Sequence, residues 1–160
     1  MTMNACRERG FTLIELLVTV TVLVVVLMMA IPNFSPFLQA QRIKNAGMDM
    51  ASSAALARSE AIKRNAQVYV ISGGQDWSGG WTVSSVAPAT STGTIRGQAP
   101  LTGLSIAEKS QQTQFSFGGD GRLQSSAVAF TIKPSSTGGQ PPVCVAVGLT
   151  GRVQTTSGGC

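Results

Sequence analysis

Glu15 is the only charged residue in an apolar run from Phe11 to Ile31. A carboxylate within a membrane-spanning segment costs about 2.5 to 3.5 kcal/mol near the bilayer centre and less near an end, so it is a functional candidate by default. Its chemistry would be charge pairing with a cation. The alternative is that Glu15 merely favours the positive end of its own helix, which is worth about 0.3 to 1 kcal/mol.

The residue types that catalysis or metal binding needs are missing from the sequence or scattered through it. There is no histidine, which excludes histidine-based acid–base catalysis, serine triads and most zinc sites. No phosphate-binding Gly-x-x-x-x-Gly-Lys-Ser/Thr loop and no Gly-x-Ser-x-Gly elbow occurs. The other acidic residues of the helix and head lack metal-ligand spacing: Asp49, Glu60, Asp76, Glu108 and Asp120. We therefore expect no enzyme activity, no metal and no cofactor.

The apolar run predicts a membrane-spanning helix over residues 11–31. As a helix it would be about 32 Å long, close to the roughly 30 Å of a bilayer's hydrocarbon core. A secretory signal would have a shorter apolar region with a cleavage site after it. Here the basic segment, residues 6–10, comes before the run. The processing site is therefore predicted to lie on the wrong side of the run for ordinary secretion.

Residues 32–66 are predicted to form an amphipathic helix that continues the first. Apolar residues recur there at steps of three and four: Ile43, Ala46, Met50, Ala54, Ala57 and Ala61. Pro32 and Pro36 each remove a backbone hydrogen bond, so residues 31–37 are where a bend or an unwound segment costs least.

Residues 67–160 change to Gly, Ser, Thr and alternating apolar residues, which predicts a globular β head. Strands are expected near residues 67–71, 80–86, 112–117, 127–133, 143–149 and 152–155, with a long surface loop at 87–103. The net charge of the whole chain is +5, but the head holds only five basic and three acidic residues. Charge alone therefore does not argue for nucleic acid.

The segment Gly10-Phe11-Thr12-Leu13-Ile14-Glu15 resembles the prepilin peptidase signature of type IV pilins and type II secretion pseudopilins. The resemblance implies that residues 1–10 are a leader peptide, that cleavage falls between Gly10 and Phe11, and that the new N-terminus is methylated. In a helix, Glu15 would lie on the same face as that new amine. What the family implies instead is that Glu15 of an incoming subunit pairs with the N-terminal amine of a subunit already in the fibre. Pro32 matches the proline that the family places here.

Pieces of the head resemble minor pilins and pseudopilins of the FimT, FimU and GspH type. They are Arg58-Ser59-Glu60-Ala61-Ile62-Lys63-Arg64, Gly80-Trp81-Thr82-Val83, Phe115-Ser116-Phe117, Gly119-Asp120-Gly121-Arg122 and Gly151-Arg152-Val153. The implied fold is α+β: a long N-terminal helix, half transmembrane and half amphipathic, packed on an antiparallel β-sheet head. The implied function is that of a minor pilin that enters a type IV pilus and helps to initiate it.

The implied location is the inner membrane, with a single span and a periplasmic head, and then the fibre. The implied partners are other pilin or pseudopilin subunits, the prepilin peptidase and the inner membrane. Cys144 and Cys160 would close a loop of 17 residues in such an exported domain, which predicts a disulfide worth roughly 3 kcal/mol. Cys6 would stay with the leader.

Two alternative functions stay open at this point. One is a pseudopilin of the type II secretion system, which the sequence hardly separates from a minor pilin. The other is a DNA-binding minor pilin of natural transformation, because FimT-type pilins carry a basic tail motif resembling Gly-Arg-x-Arg. This chain reads Gly151-Arg152-Val153-Gln154, so the second arginine is missing. Arg152, with Arg122 or Lys133, could then make only weak, salt-dependent phosphate contacts, and DNA is not the favoured partner.

Overall fold

The computed structural model describes residues 11–136 and 139–160, without the side chains of residues 29–34. The predicted leader, with Cys6 and Gly10, lies outside the described residues. The described chain divides into two compact units, one ending at Phe37 and the other comprising Leu38–Cys160.

Helix α1 extends over Leu13–Arg64. Thr12 precedes it, and the Thr12 Oγ1 atom accepts a hydrogen bond from the Glu15 N–H at 3.3 Å. This is half of a capping box, whose sequence signature Thr-x-x-Glu is present. At the other end Asn65 adopts a φ of 48°, and the Ala66 N–H reaches the Ala61 carbonyl at 3.2 Å. This is a Schellman cap, in which asparagine takes the left-handed position.

In the first unit, the large apolar side chains that the structure describes are exposed. Every large apolar side chain between Phe11 and Met28 is exposed. Among the residues that the structure describes, no helix is both long enough and apolar enough to cross a membrane. Helix α1 continues through Pro32 and Pro36.

In the second unit α1 buries the predicted apolar stripe. Its six members, Ile43, Ala46, Met50, Ala54, Ala57 and Ala61, are all at most 1% exposed. Small side chains let the helix approach the strands closely. A Cβ atom on Gly47 would lie 3.1 Å from Val143 Cγ1, tighter than most real contacts.

The head contains two four-stranded antiparallel sheets rather than one. The strands are β1 Val68–Ser72, β2 Trp81–Ser84, β3 Thr94–Gln98, β4 Leu104–Glu108, β5 Gln114–Phe117, β6 Val128–Pro134, β7 Val143–Val147 and β8 Val153–Ser157. The first sheet has the order β3-β2-β1-β5, and the second has the order β4-β6-β7-β8. A 3₁₀ turn, η1, occupies Trp77–Gly79.

An aromatic cluster fills the core of the head. The ring of Trp77 meets Phe130 edge-on, with centroids 4.9 Å apart, and Phe115 lies 5.8 Å from both rings. The Trp77 indole N–H donates to the Gln112 carbonyl at 2.8 Å, so its polar edge is satisfied. Trp81 is likewise only 2% exposed. Both tryptophans are therefore core residues.

Two strands were not predicted. The expected loop at 87–103 is wrong, because it contains β3, and β4 follows directly after it. Strand β3 is an edge strand with no fully buried residue, so it shows no apolar alternation. Strand β4 does alternate, but its third inward position holds the charged residue Glu108, which conceals the pattern.

Candidate functional site

The start of α1 places Glu15 in the first helical turn. Its backbone N–H is satisfied by Thr12, and its side chain is exposed. Because α1 begins at Leu13, Phe11 precedes the helix in the chain before cleavage. The alignment of Glu15 with the new amine of the cleaved chain stays a prediction. Phe11 is 77% exposed. The exposed carboxylate is therefore available to a group outside its own helix.

The disulfide between Cys144 and Cys160 is confirmed, with the two Cα atoms 5.2 Å apart. It holds the tail that follows β8 across the outer face of the second sheet. The Cys160 N–H donates to Thr131 Oγ1 at 3.1 Å, and the Lys109 Nζ atom donates to the Cys160 carbonyl at 3.4 Å. Three strands, β6, β7 and β8, are thereby tied to the last residue.

A tight turn follows β5 and positions Arg122. The Gly121 N–H donates to the Gly118 carbonyl at 2.8 Å, and the Gly118 N–H donates to the Arg122 carbonyl at 2.9 Å. Gly121 has a φ of +72°, which favours glycine. The Asp120 carboxylate accepts the Arg122 N–H at 3.0 Å and stiffens the loop.

A second turn with the same hydrogen bonds joins β7 to β8 and positions Arg152. The Gly151 N–H donates to the Gly148 carbonyl at 2.8 Å, and the Gly148 N–H donates to the Arg152 carbonyl at 3.0 Å. Gly151 also has a positive φ, +76°. Both turns thus read Gly-x-x-Gly-Arg, with the arginine at the equivalent place.

The two turns meet, and Arg58 of α1 lies against their contact. A Cβ atom on Gly151 would overlap the carbonyl oxygen of Gly121 and come within 2.9 Å of Arg58 Nε. The Arg58 Nη1 atom donates to the Gly151 carbonyl at 3.1 Å. Its Nε atom is buried and has no hydrogen-bond partner among the described residues. The turns therefore bring the backbones of Arg122 and Arg152 into one region, next to the Arg58 side chain.

The family comparison identifies the kind of protein that carries this site. Residues 46–151 match the model of the family described as type II transport protein GspH. The chain belongs to the GspH family. Residues 6–31 match the prokaryotic N-terminal methylation motif. The resemblance predicted from the sequence is thus confirmed: this GspH-family chain is of the minor pilin and pseudopilin type and is a membrane-anchored fibre subunit.

Solved structures share the fold of the GspH-family chain. The type IV minor pilin FimU of Pseudomonas aeruginosa matches with a TM-score of 0.64 and 21% identity, over 75% of this chain and 92% of FimU. The minor pseudopilin EpsH of the Vibrio cholerae type 2 secretion system matches with a TM-score of 0.58 and 14% identity, over 72% of this chain and 97% of EpsH. The comparison with curated protein sequences gives no match. The predicted pilin-like α+β fold is confirmed.

The third predicted cation of the GspH-family head, Lys133, lies apart from the two arginines. It is exposed on β6, beside a groove of about 700 Å³ that also includes Ser105 and Pro142. Arg152 instead shares a groove of about 420 Å³ with Lys109, a residue that the sequence did not single out. Neither groove includes an acidic side chain.

Glu108 is a buried carboxylate, although its position in the sequence did not predict burial. Its Oε2 atom accepts the N–H groups of Ser110 and Gln112, both at 2.8 Å, and its Oε1 atom accepts the Ala129 N–H at 3.4 Å. These bonds secure the turn in which Gln111 has a φ of 58°. Glu108 therefore has a structural role. In residues 11–136 and 139–160, no group of three or more metal-ligating side chains occurs.

Glu60 forms both ion pairs of the described chain, with Arg64 at 2.7 Å and Lys63 at 3.4 Å. The hydrogen bond from Arg64 is the main reason that the pKa of Glu60 is lowered. The pKa of Asp76 is also lowered, chiefly by the Ser78 hydroxyl and then by the Gly79 N–H.

Since both ion pairs of the described residues belong to Glu60, no carboxylate within them pairs with the three arginines near the turns, Arg58, Arg122 and Arg152.

Proposed function

We propose that this chain is a minor pilin that enters a type IV pilus and helps to initiate it. The observation that carries the proposal is the methylation motif over residues 6–31, which includes the start of α1 and in which every large apolar side chain from Phe11 to Met28 is exposed. Such a surface is stable only against lipid or against other apolar helices. A bilayer before assembly and a fibre core after it would supply these two environments in turn.

The proposed processing step removes residues 1–10 and leaves Phe11 as the new N-terminus. Its ammonium group and the carboxylate of Glu15 then have opposite charges. Glu15 is exposed and makes no ion pair in the described chain, and Phe11 lies outside α1. Pairing of Glu15 with the N-terminal amine of a neighbouring subunit would relieve the cost of a charge in an apolar core and would set the axial register. Pro32 would ease melting of α1 on assembly.

The proposed location before assembly is the inner membrane, with one span and a periplasmic head. The disulfide supports this proposal, because such bonds persist in oxidising compartments and are rare in the bacterial cytosol. The prepilin peptidase would act on the peptide bond between Gly10 and Phe11. Other pilin subunits would be the lasting partners.

Fibre purification tests the proposal. Sheared pili from cells with an epitope-tagged chain should contain the tag, and deletion of the chain should reduce surface piliation while leaving type II secretion intact. Recovery of the tag only in the membrane fraction, with normal piliation, would reject the minor pilin role. Cells lacking the major pilin provide the control for membrane contamination.

A pseudopilin of the type II secretion system is the second candidate. The family description, type II transport protein, favours it, and the fold similarity to EpsH is compatible with it. The same deletion distinguishes the two roles. Loss of secreted enzyme activity with normal piliation would identify the pseudopilin.

A DNA-binding role is the third candidate. The contact between the two turns favours it, since it brings Arg122 and Arg152 into one region, but Lys133 lies elsewhere and Gln154 replaces the second motif arginine. A gel-shift titration at several salt concentrations tests it. If DNA binds, Arg152→Ala should weaken binding equally across sequences and reduce the salt slope by about 1. Arg96→Ala is the control, because Arg96 lies in the other sheet and contacts Ser52. No binding at physiological salt would exclude the role.

A further inference from the structure

Strand β8 has an open edge. The Arg152 carbonyl accepts the Gly148 N–H, and the Gly158 N–H donates to the Pro142 carbonyl at 2.8 Å. In an antiparallel ladder alternate residues bond to the same neighbour, so residues 154 and 156 also face β7. The N–H and C=O groups of Val153, Thr155 and Ser157 therefore point away from the sheet. Four of the five β8 residues are exposed.

The other three sheet edges are blocked in ways that β8 is not. Strand β3 carries a charged residue, Arg96, whose side chain donates to the Ser52 hydroxyl of α1, and a charge on an edge strand opposes pairing with another chain. Next to β5, Leu123 pairs with Phe117, and the Gln124 N–H donates to the Ser116 carbonyl at 2.8 Å. Strand β4 packs against η1. Strand β8 has the sequence Val-Gln-Thr-Thr-Ser, without the charge, proline or bulge that usually protects an edge.

The disulfide directs the tail away from this edge. After Ser157 the chain turns at Gly158, which has a φ of +112°. It then crosses to Thr131 of β6, on the opposite side of β7 from β8, where Cys160 is fixed. A tail that continued beside β8 could have covered the open groups. The cross-link to Cys144 prevents this.

A groove beside the start of β8 adds charge to the open edge. It has a volume of about 430 Å³ and lies between α1 and residues Gly151 to Val153. Arg58 and Arg152 contribute to it, and no acidic side chain does. Ile62, an apolar residue that is 51% exposed, forms part of its helical wall.

We propose that β8 pairs, edge to edge, with an extended acidic segment of a different fibre subunit. Charge complementarity selects a different subunit over a second copy, since no described acid of this chain lies on an exposed strand. Glu15, Asp49 and Glu60 are in α1, Asp76 and Asp120 are in turns, and Glu108 is buried. The identity of the partner as a fibre subunit rests on the proposed function. Strand β8 also lies outside residues 46–151, which match the family.

The edge is tested with the full chain in detergent and a fluorescent synthetic octapeptide of alternating valine and threonine with a glutamate at each end. Thr155→Pro removes one outward N–H without touching the bonds to β7, and proline is tolerated at such an edge position. Thr155→Val, which keeps the N–H, is the matched control. A second peptide, with lysine in place of glutamate at both ends, tests the charge preference.

We expect the glutamate peptide to bind about tenfold more tightly than the lysine peptide. Glutamate would attract the half-buried Arg58 and the exposed Arg152, whereas lysine would repel both. Thr155→Pro should weaken binding about tenfold while Thr155→Val leaves it unchanged. The fluorescence of the buried tryptophans checks that both variants are folded. Equal binding to the two variants, or to the two peptides, would overturn the proposal.

Two further results have defined meanings. A wild-type dimer that Thr155→Pro converts to a monomer would overturn the choice of partner, because a second copy would then occupy β8. In cells, Thr155→Pro should reach the membrane at the level of Thr155→Val but enter sheared fibres less. If the wild-type chain is absent from every fibre, the proposed function is rejected, and so is a fibre subunit as the partner of β8. The peptide experiment would still decide whether β8 pairs with an extended segment.

Discussion

Replacement of Gly151 by alanine tests the contact between the two arginine-bearing turns. Two effects should add. The first is conformational, because Gly151 has a φ of +76°, where an alanine is less stable by about 1 to 2 kcal/mol. The second is steric, because the new methyl group would overlap the Gly121 carbonyl, which is backbone and cannot rotate away. Overpacking of this kind typically costs about 1 to 3 kcal/mol.

Gly103→Ala separates the two effects. Gly103 has a φ of +79°, and a Cβ atom there would meet nothing within 4 Å. This variant should show only the conformational cost. The gain from restricting the unfolded chain is the same for both variants and cancels in the comparison.

The free energy of unfolding of the full chain in detergent can be followed by the fluorescence of Trp77 and Trp81, which are both buried in the head. We expect Gly103→Ala to lose about 1 to 2 kcal/mol and Gly151→Ala about 2 to 5 kcal/mol. In melting temperature, each kcal/mol corresponds to about 4 °C. Equal losses for the two variants would show that the turns do not touch and would refute the placement of Arg122 next to Arg152.

Three other perturbations have defined outcomes. Glu15→Ala should leave membrane insertion unchanged or improved but should reduce recovery in sheared fibres, and wild-type recovery would leave only the helix-end role. Reduction of the Cys144–Cys160 bond should destabilise the head by roughly 3 kcal/mol, seen as a lower melting temperature, whereas rapid thiol labelling without reductant would contradict the bond. The pKa of Glu60 is lowered from 4.5, so its contribution to stability should be complete above about pH 4.5 and decrease below it as the folded-state carboxylate gains its proton. The free energy of unfolding of Glu60→Gln should fall less than that of wild type as the pH is lowered below about 4.5. Identical pH profiles for the two proteins would show that the ion pair between Glu60 and Arg64 does not contribute to stability.

The sequence predicted the parts of the fold that local patterns specify. The six-residue apolar stripe of α1 follows from helical periodicity, and the disulfide follows from counting cysteines in an exported domain. Strand β3 was not predicted because an edge strand needs no apolar face, so its sequence shows no apolar alternation. The burial of Glu108 was not predicted because it depends on three N–H groups that only the folded chain brings together.

The sequence predicted the arginines of the candidate site, Arg122 and Arg152, but not how the two turns that carry them are arranged. Both Gly-x-x-Gly-Arg segments are visible in the sequence, yet nothing local indicates that two turns from different sheets touch, or that Arg58 lies against them. The start of α1 was also misplaced by two residues. The Thr-x-x-Glu capping signature, present at Thr12, could have corrected this.

The N-terminus of the assembled protein shows most directly whether the chain is processed as a pilin. Mass spectrometry of the chain recovered from sheared fibres measures this. We predict a mature N-terminus at Phe11 carrying one added methyl group, with residues 1–10 absent. A chain that still begins at Met1 in the fibre would contradict the processing step and, with it, the pairing of Glu15 with the Phe11 amine of a neighbouring subunit.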